Sequence, residues 1–159
     1  MASPARRAPA KAARSAIPQL SWRTPQPAPI VLVSGPEEVC AERAIAGRYG
    51  EALIALRHAL ASGADPVPLV AAVAMKLRTM ARVAGNREPS AALAARLGMK
   101  DWQVDRARRD LMGWNEESLG RAIQATARAD AEVKGGSRDA VLALERMITV
   151  IATRAPYGA

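Results

Sequence analysis

Apolar residues recur at three- and four-residue steps along most of the chain, the spacing of helices with one buried face. The clearest stretch is residues 115–151. Its first helix starts after Asn115, with Glu116 and Glu117 in the first turn, where carboxylates meet the positive end of the helix dipole. The apolar stripe there is Leu119, Ile123, Thr126/Ala127 and Val133. Gly135–Gly136 supplies the left-handed stop. The second helix carries Ala140, Leu144, Met147, Ile148 and Ile151. Its character is that of a buried docking element, around which the earlier helices should pack.

The same periodicity runs upstream. From Pro36, the positions Val39, Ile45, Tyr49, Leu53, Leu56 and Leu60 share a helical face, with Ser34 as the expected cap. Gly47 and Gly50 each weaken that helix by about 1 kcal/mol against Ala. A break is therefore expected near Gly47–Tyr49, with a stop at Gly63 and Asp65–Pro66. Residues 66–84 predict a long helix with the stripe Leu69, Val70, Val73, Leu77, Met80 and Val83/Ala84, and with Lys76, Arg78 and Arg82 mainly on its other side. A short helix at 89–98 is expected, capped by Ser90, with Leu93 and Leu97 inward and Gly98 as its stop. Asp101 caps or begins the next helix, which holds Trp102, Val104, Ala107 and Leu111. Trp102 and Trp114 read as packing anchors.

One segment breaks the helical pattern. Ile30 to Val33, between Pro29 and Gly35, is a short apolar run of the kind found in buried parallel strands. A strand, a Gly and a helix in that order invite comparison with a phosphate loop. Such a loop needs a second Gly, then Lys, then Ser or Thr at fixed spacing. Those places hold Cys40, Ala41 and Glu42, and Glu37 and Glu38 would repel phosphate. ATP binding by this loop is rejected.

Composition sharpens the fold class. Half of the 159 residues are hydrophobic, yet there is no Phe and aromatic residues make up 3%. The core must be Ala, Leu, Val, Ile and Met, which suits close-packed helices better than a sheet. A lone Cys40 excludes an internal disulfide framework and fits a reducing cytosol. No apolar run reaches the length of a membrane span. The expectation is a mainly α protein, a bundle of about six helices with one orphan N-terminal strand and a disordered N-terminal tail.

The charge of +8 is unevenly placed. Residues 1–28 are rich in Ala, Pro and Arg, with Arg6, Arg7, Lys11, Arg14 and Arg23 and no acid. They read as a solvated, disordered tail. The remaining residues are only mildly basic, so the high pI alone does not argue for nucleic acid. A helix-turn-helix reading of residues 89–111 would turn Gln103, Arg106, Arg108 and Arg109 toward a groove. Asp101, Asp105 and Asp110 would face it too and oppose DNA. His58 has no ligand or nucleophile at a useful spacing, and no constellation argues for catalysis, a metal or a cofactor. Asp130 and Lys134, four apart, suit either a local ion pair or an interface contact. The residues alone favour an assembly module, with a small helical DNA-binding protein as the alternative.

Three segments carry a resemblance: EALIALRHALASGADPVPLVAAVAMKLRTMARVAG, LAARLGMKDWQVDRARRDLMGW, and ARADAEVKGG followed by AVLALERMITVIAT. In order and spacing they resemble the C-terminal collar domain of the delta subunit of bacterial DNA polymerase III, the actinobacterial type in particular. Residues 17–46 look like the first AAA+ strand and helix of the same subunit. The resemblance implies three segments: the tail at 1–28, a remnant of the first AAA+ strand and helix at 29–46, and a helical collar at 47–155. It implies that most of the AAA+ domain and the lid domain are missing. It further implies a non-catalytic clamp-loader subunit, an accessory to a DNA-directed DNA polymerase (a nucleotidyltransferase holoenzyme), acting in DNA replication in the cytoplasm. Partners would be the other loader subunits through the collar, with weak DNA contact at most and no membrane. Sliding-clamp contact is not carried over, because the clamp-gripping tip belongs to the first domain and no position here matches it. The candidate subunit interface is Asp130, Lys134, Trp114 and Arg106, and no catalytic, cofactor or metal residue is assigned.

Overall fold

Local signals decide where each helix starts and stops. A computed structural model of the chain describes residues 35–136 and 139–154. The expected tail at 1–28, the strand at Ile30–Val33 and the Ser34 cap lie outside the described residues. Within them are seven α-helices: α1 (Pro36–Ile45), α2 (Tyr49–Ala61), α3 (Pro66–Val83), α4 (Ser90–Leu97), α5 (Asp101–Asp110), α6 (Glu116–Ala131) and α7 (Ala140–Thr153). The break expected near Gly47 separates α1 from α2. Gly47 sits at φ 76°, and a Cβ there would meet the Arg154 guanidinium at 3.1 Å. Both facts favour glycine at this corner.

Side chains cap the longer helices. The Asp65 carboxylate accepts from the Val67 N–H at 2.7 Å and starts α3, with Pro66 in its first turn. Asn115 accepts from the Ser118 N–H at 2.7 Å, and the Asn115 N–H donates back to Ser118 Oγ at 3.0 Å. This reciprocal pair starts α6. Asp139 accepts from the Leu142 N–H at 2.9 Å to start α7. At its far end α6 runs on into a wider turn, Glu132–Gly136, closed where Gly135 takes φ 128°. Ser90, expected as a cap, is instead the first residue of α4, and Pro89 holds the capping position. The Ser90 hydroxyl is turned across to the Asp105 carboxylate. Gly98 ends α4 in the left-handed region, as expected.

The core has two parts. The larger is built on α7, whose Leu144, Met147, Ile148 and Ile151 are all at most 1% exposed. Around them pack Leu56 of α2, Leu69, Val70, Val73 and Leu77 of α3, and Leu119 of α6. α1 adds Cys40, Ala41, Ala44 and Ile45 to the same core. α1 touches α2, α3 and α7. The smaller part joins the end of α3 to the α4–α5 pair through Val83, Leu93, Ala94, Val104 and Ala107. Leu111 packs against both parts.

Some expected core positions lie outside. On α6 the buried stripe is Leu119, Ala122, Thr126 and Ala129, whereas Ile123 is 40% exposed and Ala127 is exposed. Small residues let α6 approach α7 and α3 closely, so size alone misplaces the face. Tyr49 and Trp102 are also exposed, at 40% and 61%. Trp102 is therefore not a packing anchor. Val104 and Ala107 fix which side of α5 turns inward, and Trp102 falls off that side.

The Cys40 thiol is buried, and burial pushes its pKa up to about 11 against a smaller opposing pull from Arg43. Its hydrogen reaches toward the Ala52 carbonyl at 3.7 Å. A raised pKa in the folded state means that the unfolded thiol loses its proton first. Stability from this group is present below the unfolded pKa and declines as pH rises toward 11. Native protein should react with a disulfide reagent at pH 8 at least tenfold more slowly than urea-unfolded protein. Urea titrations should show Leu144→Ala losing about 2–5 kcal/mol, against under about 0.5 kcal/mol for Ile54→Ala on the surface.

Candidate functional site

The four candidate interface residues occupy three different environments, and no hydrogen bond or ion pair joins these environments among the described residues. Asp130 and Lys134 lie at the C-terminal end of α6 and its following turn. They form a 2.8 Å ion pair, with the Lys134 side chain mostly exposed and Asp130 about two-fifths exposed. An exposed pair of this spacing contributes about 0.3–0.5 kcal/mol, so both groups remain available to an outside partner.

Trp114 does a different task. It is half-buried against the larger core, and its indole N–H donates to the Ile45 carbonyl at 3.3 Å. The Arg154 guanidinium stacks over the indole at 4.8 Å from the ring centroid and donates to the same carbonyl at 3.4 Å. Ile45 ends α1, where the last carbonyls have no partner inside the helix and a cation suits the dipole. Arg121 of α6 in turn donates to the Arg154 carbonyl at 2.8 Å. The corner thus fastens the C-terminal ends of α1 and α7 to α6 and to the turn after α5.

Arg106 of α5 pairs with Glu42 of α1, and Lys76 of α3 reaches the same carboxylate at 3.5 Å. Glu42 therefore ties three helices together, at the place where a phosphate loop would need a hydroxyl. Of the other groove-facing candidates, Gln103 and Arg108 are also engaged, whereas Arg109 is exposed. Gln103 accepts from the Lys100 N–H at 2.9 Å and caps α5. Arg108 donates to Ser90 Oγ at 2.9 Å and to the carbonyls of Asn86 and Glu88. Arg82 of α3 closes on the Leu97 carbonyl. These donors hold the α3–α4–α5 corner together, which counts against their use on a DNA groove. Sequence spacing could not show this, since the Arg106–Glu42 partners are 64 residues apart.

Beside the Glu42 pairs, α1, α3 and α5 enclose an open groove of about 450 Å³. Met80 and Ala107 form part of its floor, and the exposed Met75 and Trp102 stand at its sides. No group of three or more His, Cys, Asp or Glu side chains among the described residues could hold a metal ion. No described helix is long and apolar enough to cross a membrane.

A sequence profile described as the DNA polymerase III delta subunit, C-terminal domain, matches residues 41–151. The chain belongs to this family. The match begins within α1, runs through all the later helices and ends in α7. Among solved structures, the Bacillus subtilis DNA clamp loader delta protein (YqeN) has the same fold, with a TM-score of 0.64 and 20% identity. The similarity covers 74% of this chain and 36% of that one, so the chain spans about a third of the length of that relative. No curated protein matches the chain. The helical body is thus a delta C-terminal domain, and both interface candidates at the end of α6 lie within the matched residues.

The tie at Glu42 lies at the surface, with both Glu42 and Arg106 about two-fifths exposed. A double-mutant cycle on Glu42→Gln and Arg106→Gln should give a coupling of under about 1 kcal/mol that shrinks at 1 M salt. Trp114→Ala should be far more damaging, about 2–4 kcal/mol in urea unfolding, because it removes buried area and leaves the Ile45 carbonyl short of a donor.

Proposed function

We propose that the chain acts as a non-catalytic clamp-loader subunit, an accessory of a DNA polymerase III holoenzyme in DNA replication. The helical body would be the part that assembles, packing as a collar with the collars of other loader subunits in the cytoplasm. The observation that supports this most is the family match, which coincides with the packed body from α1 to α7. Internal use of Arg82, Arg106 and Arg108 weighs against the alternative of a free-standing DNA-binding protein.

Within this reading, Asp130 and Lys134 are the interface residues that would meet a neighbouring subunit, since their pair is local to the end of α6 and ties no helices together. Arg106 and Trp114 would act by holding α1 in place. α1 is better assigned to the collar than to a remnant of a AAA+ domain, since four of its residues lie in the main core and the family match takes in three of them, Ala41, Ala44 and Ile45. Clamp opening is not assigned to this chain.

Co-expression with the other loader subunits tests the proposal. The chain should co-purify with them on gel filtration. Asp130→Ala with Lys134→Ala should weaken that association at least threefold while leaving the urea midpoint within error. A chain that elutes alone at micromolar concentrations would sink the assembly reading.

A further inference from the structure

We propose that the groove between α1, α3 and α5 is a docking site for a basic amphipathic helix of a partner protein. This goes beyond collar assembly and stands on the groove's own lining. The floor is the outer face of α3 from Pro68 to Thr79. At 1.5 Å per residue that face is roughly 16 Å long, enough to seat about three turns of a helix. Ala71 and Ala72 keep the floor low, so a large side chain can enter. Met75 rises from this stretch and Trp102 stands on α5, 66% and 61% exposed. A flexible thioether beside an indole is a recurrent way to grip an apolar helix face.

The charge at the rim selects the sign of the partner. Lys76 and Arg106 line the groove and share the single Glu42 carboxylate, a trio with one net positive charge. Glu37, Glu38 and Asp110 also line it, and no cation among the described residues pairs with any of them. The open charge of the groove is therefore negative, on a chain whose total charge is +8. An acidic rim around an apolar floor complements an apolar stripe flanked by Lys or Arg, and repels DNA and acidic segments alike.

The test uses the full-length chain and two fluorescein-labelled synthetic helices of fourteen residues or so, identical in their Leu stripe. One carries Lys at the flanking positions, the other Glu. Anisotropy titrations at ~0.1 M salt should show the Lys peptide binding at least tenfold more tightly. Trp102→Ala and Met75→Ala should each weaken it tenfold or more. Glu37→Lys with Glu38→Lys should weaken the Lys peptide and improve the Glu peptide. Ile54→Asp, on α2 away from the groove, should change neither. Both Trp102 and Met75 are exposed, and circular dichroism on each variant checks that the fold is kept. Equal binding of the two peptides, or indifference to Trp102→Ala, would overturn the proposal. So would concentration-dependent self-association in sedimentation that Trp102→Ala abolishes, since the occupant would then be a second copy of the chain.

Discussion

Everything in this body depends on burying one side of α7. Leu144, Met147, Ile148 and Ile151 have almost no contact with solvent, and α1, α2, α3 and α6 each present a face to them. With no Phe in the chain, that burial must be achieved by aliphatic side chains at short range. Ala41, Ala44, Ala52, Ala59, Ala122 and Ala129 make the short range possible, since each lets a neighbouring backbone come close. The cost of this solution is sensitivity. A core of many small contacts has no single large residue to absorb a shift, so the helix ends must be held in register by other means.

Polar groups at the ends supply that register. The Ile45 carbonyl receives Trp114 and Arg154 together, and the Arg154 carbonyl receives Arg121. Elsewhere on α1, Glu42 draws in Lys76 and Arg106. Arg108 and Arg82 close the corner where α3, α4 and α5 meet. Many of the basic residues that raise the pI are thus internal fasteners of a helical body. Net charge says little about partners when the cations are used in this way.

The parts of the fold that were legible in the sequence are those set by local chemistry. Asp65, Asn115, Gly98 and the break at Gly47 are all decided by residues within one or two turns. The stripes of α3 and α7 were legible because their large aliphatic residues fall on one face. Ile123 and Trp102 were misread because bulk was taken as a sign of burial. On α6 the small residues Ala122, Thr126 and Ala129 mark the buried side, and they carry little hydrophobic signal one by one. The Glu42–Arg106 tie and the place of α1 depend on contacts distant in sequence. Likeness of a single segment to another domain's first helix could not show that Cys40 and Ile45 are core residues.

The same distinction explains why the groove was not visible beforehand. Its walls come from three helices, and its acidic character depends on which carboxylates already have partners. Glu37, Glu38 and Glu42 are near neighbours in sequence and read as one acidic cluster. In the folded body Glu42 receives Lys76 and Arg106, while Glu37 and Glu38, in the first turn of α1, line the groove. Glu42 with its two cations still carries one net positive charge, and it is the three carboxylates Glu37, Glu38 and Asp110 together that leave the rim negative. Met75 and Trp102 stand exposed beside these carboxylates, and a basic, apolar partner is the kind of surface that complements both at once.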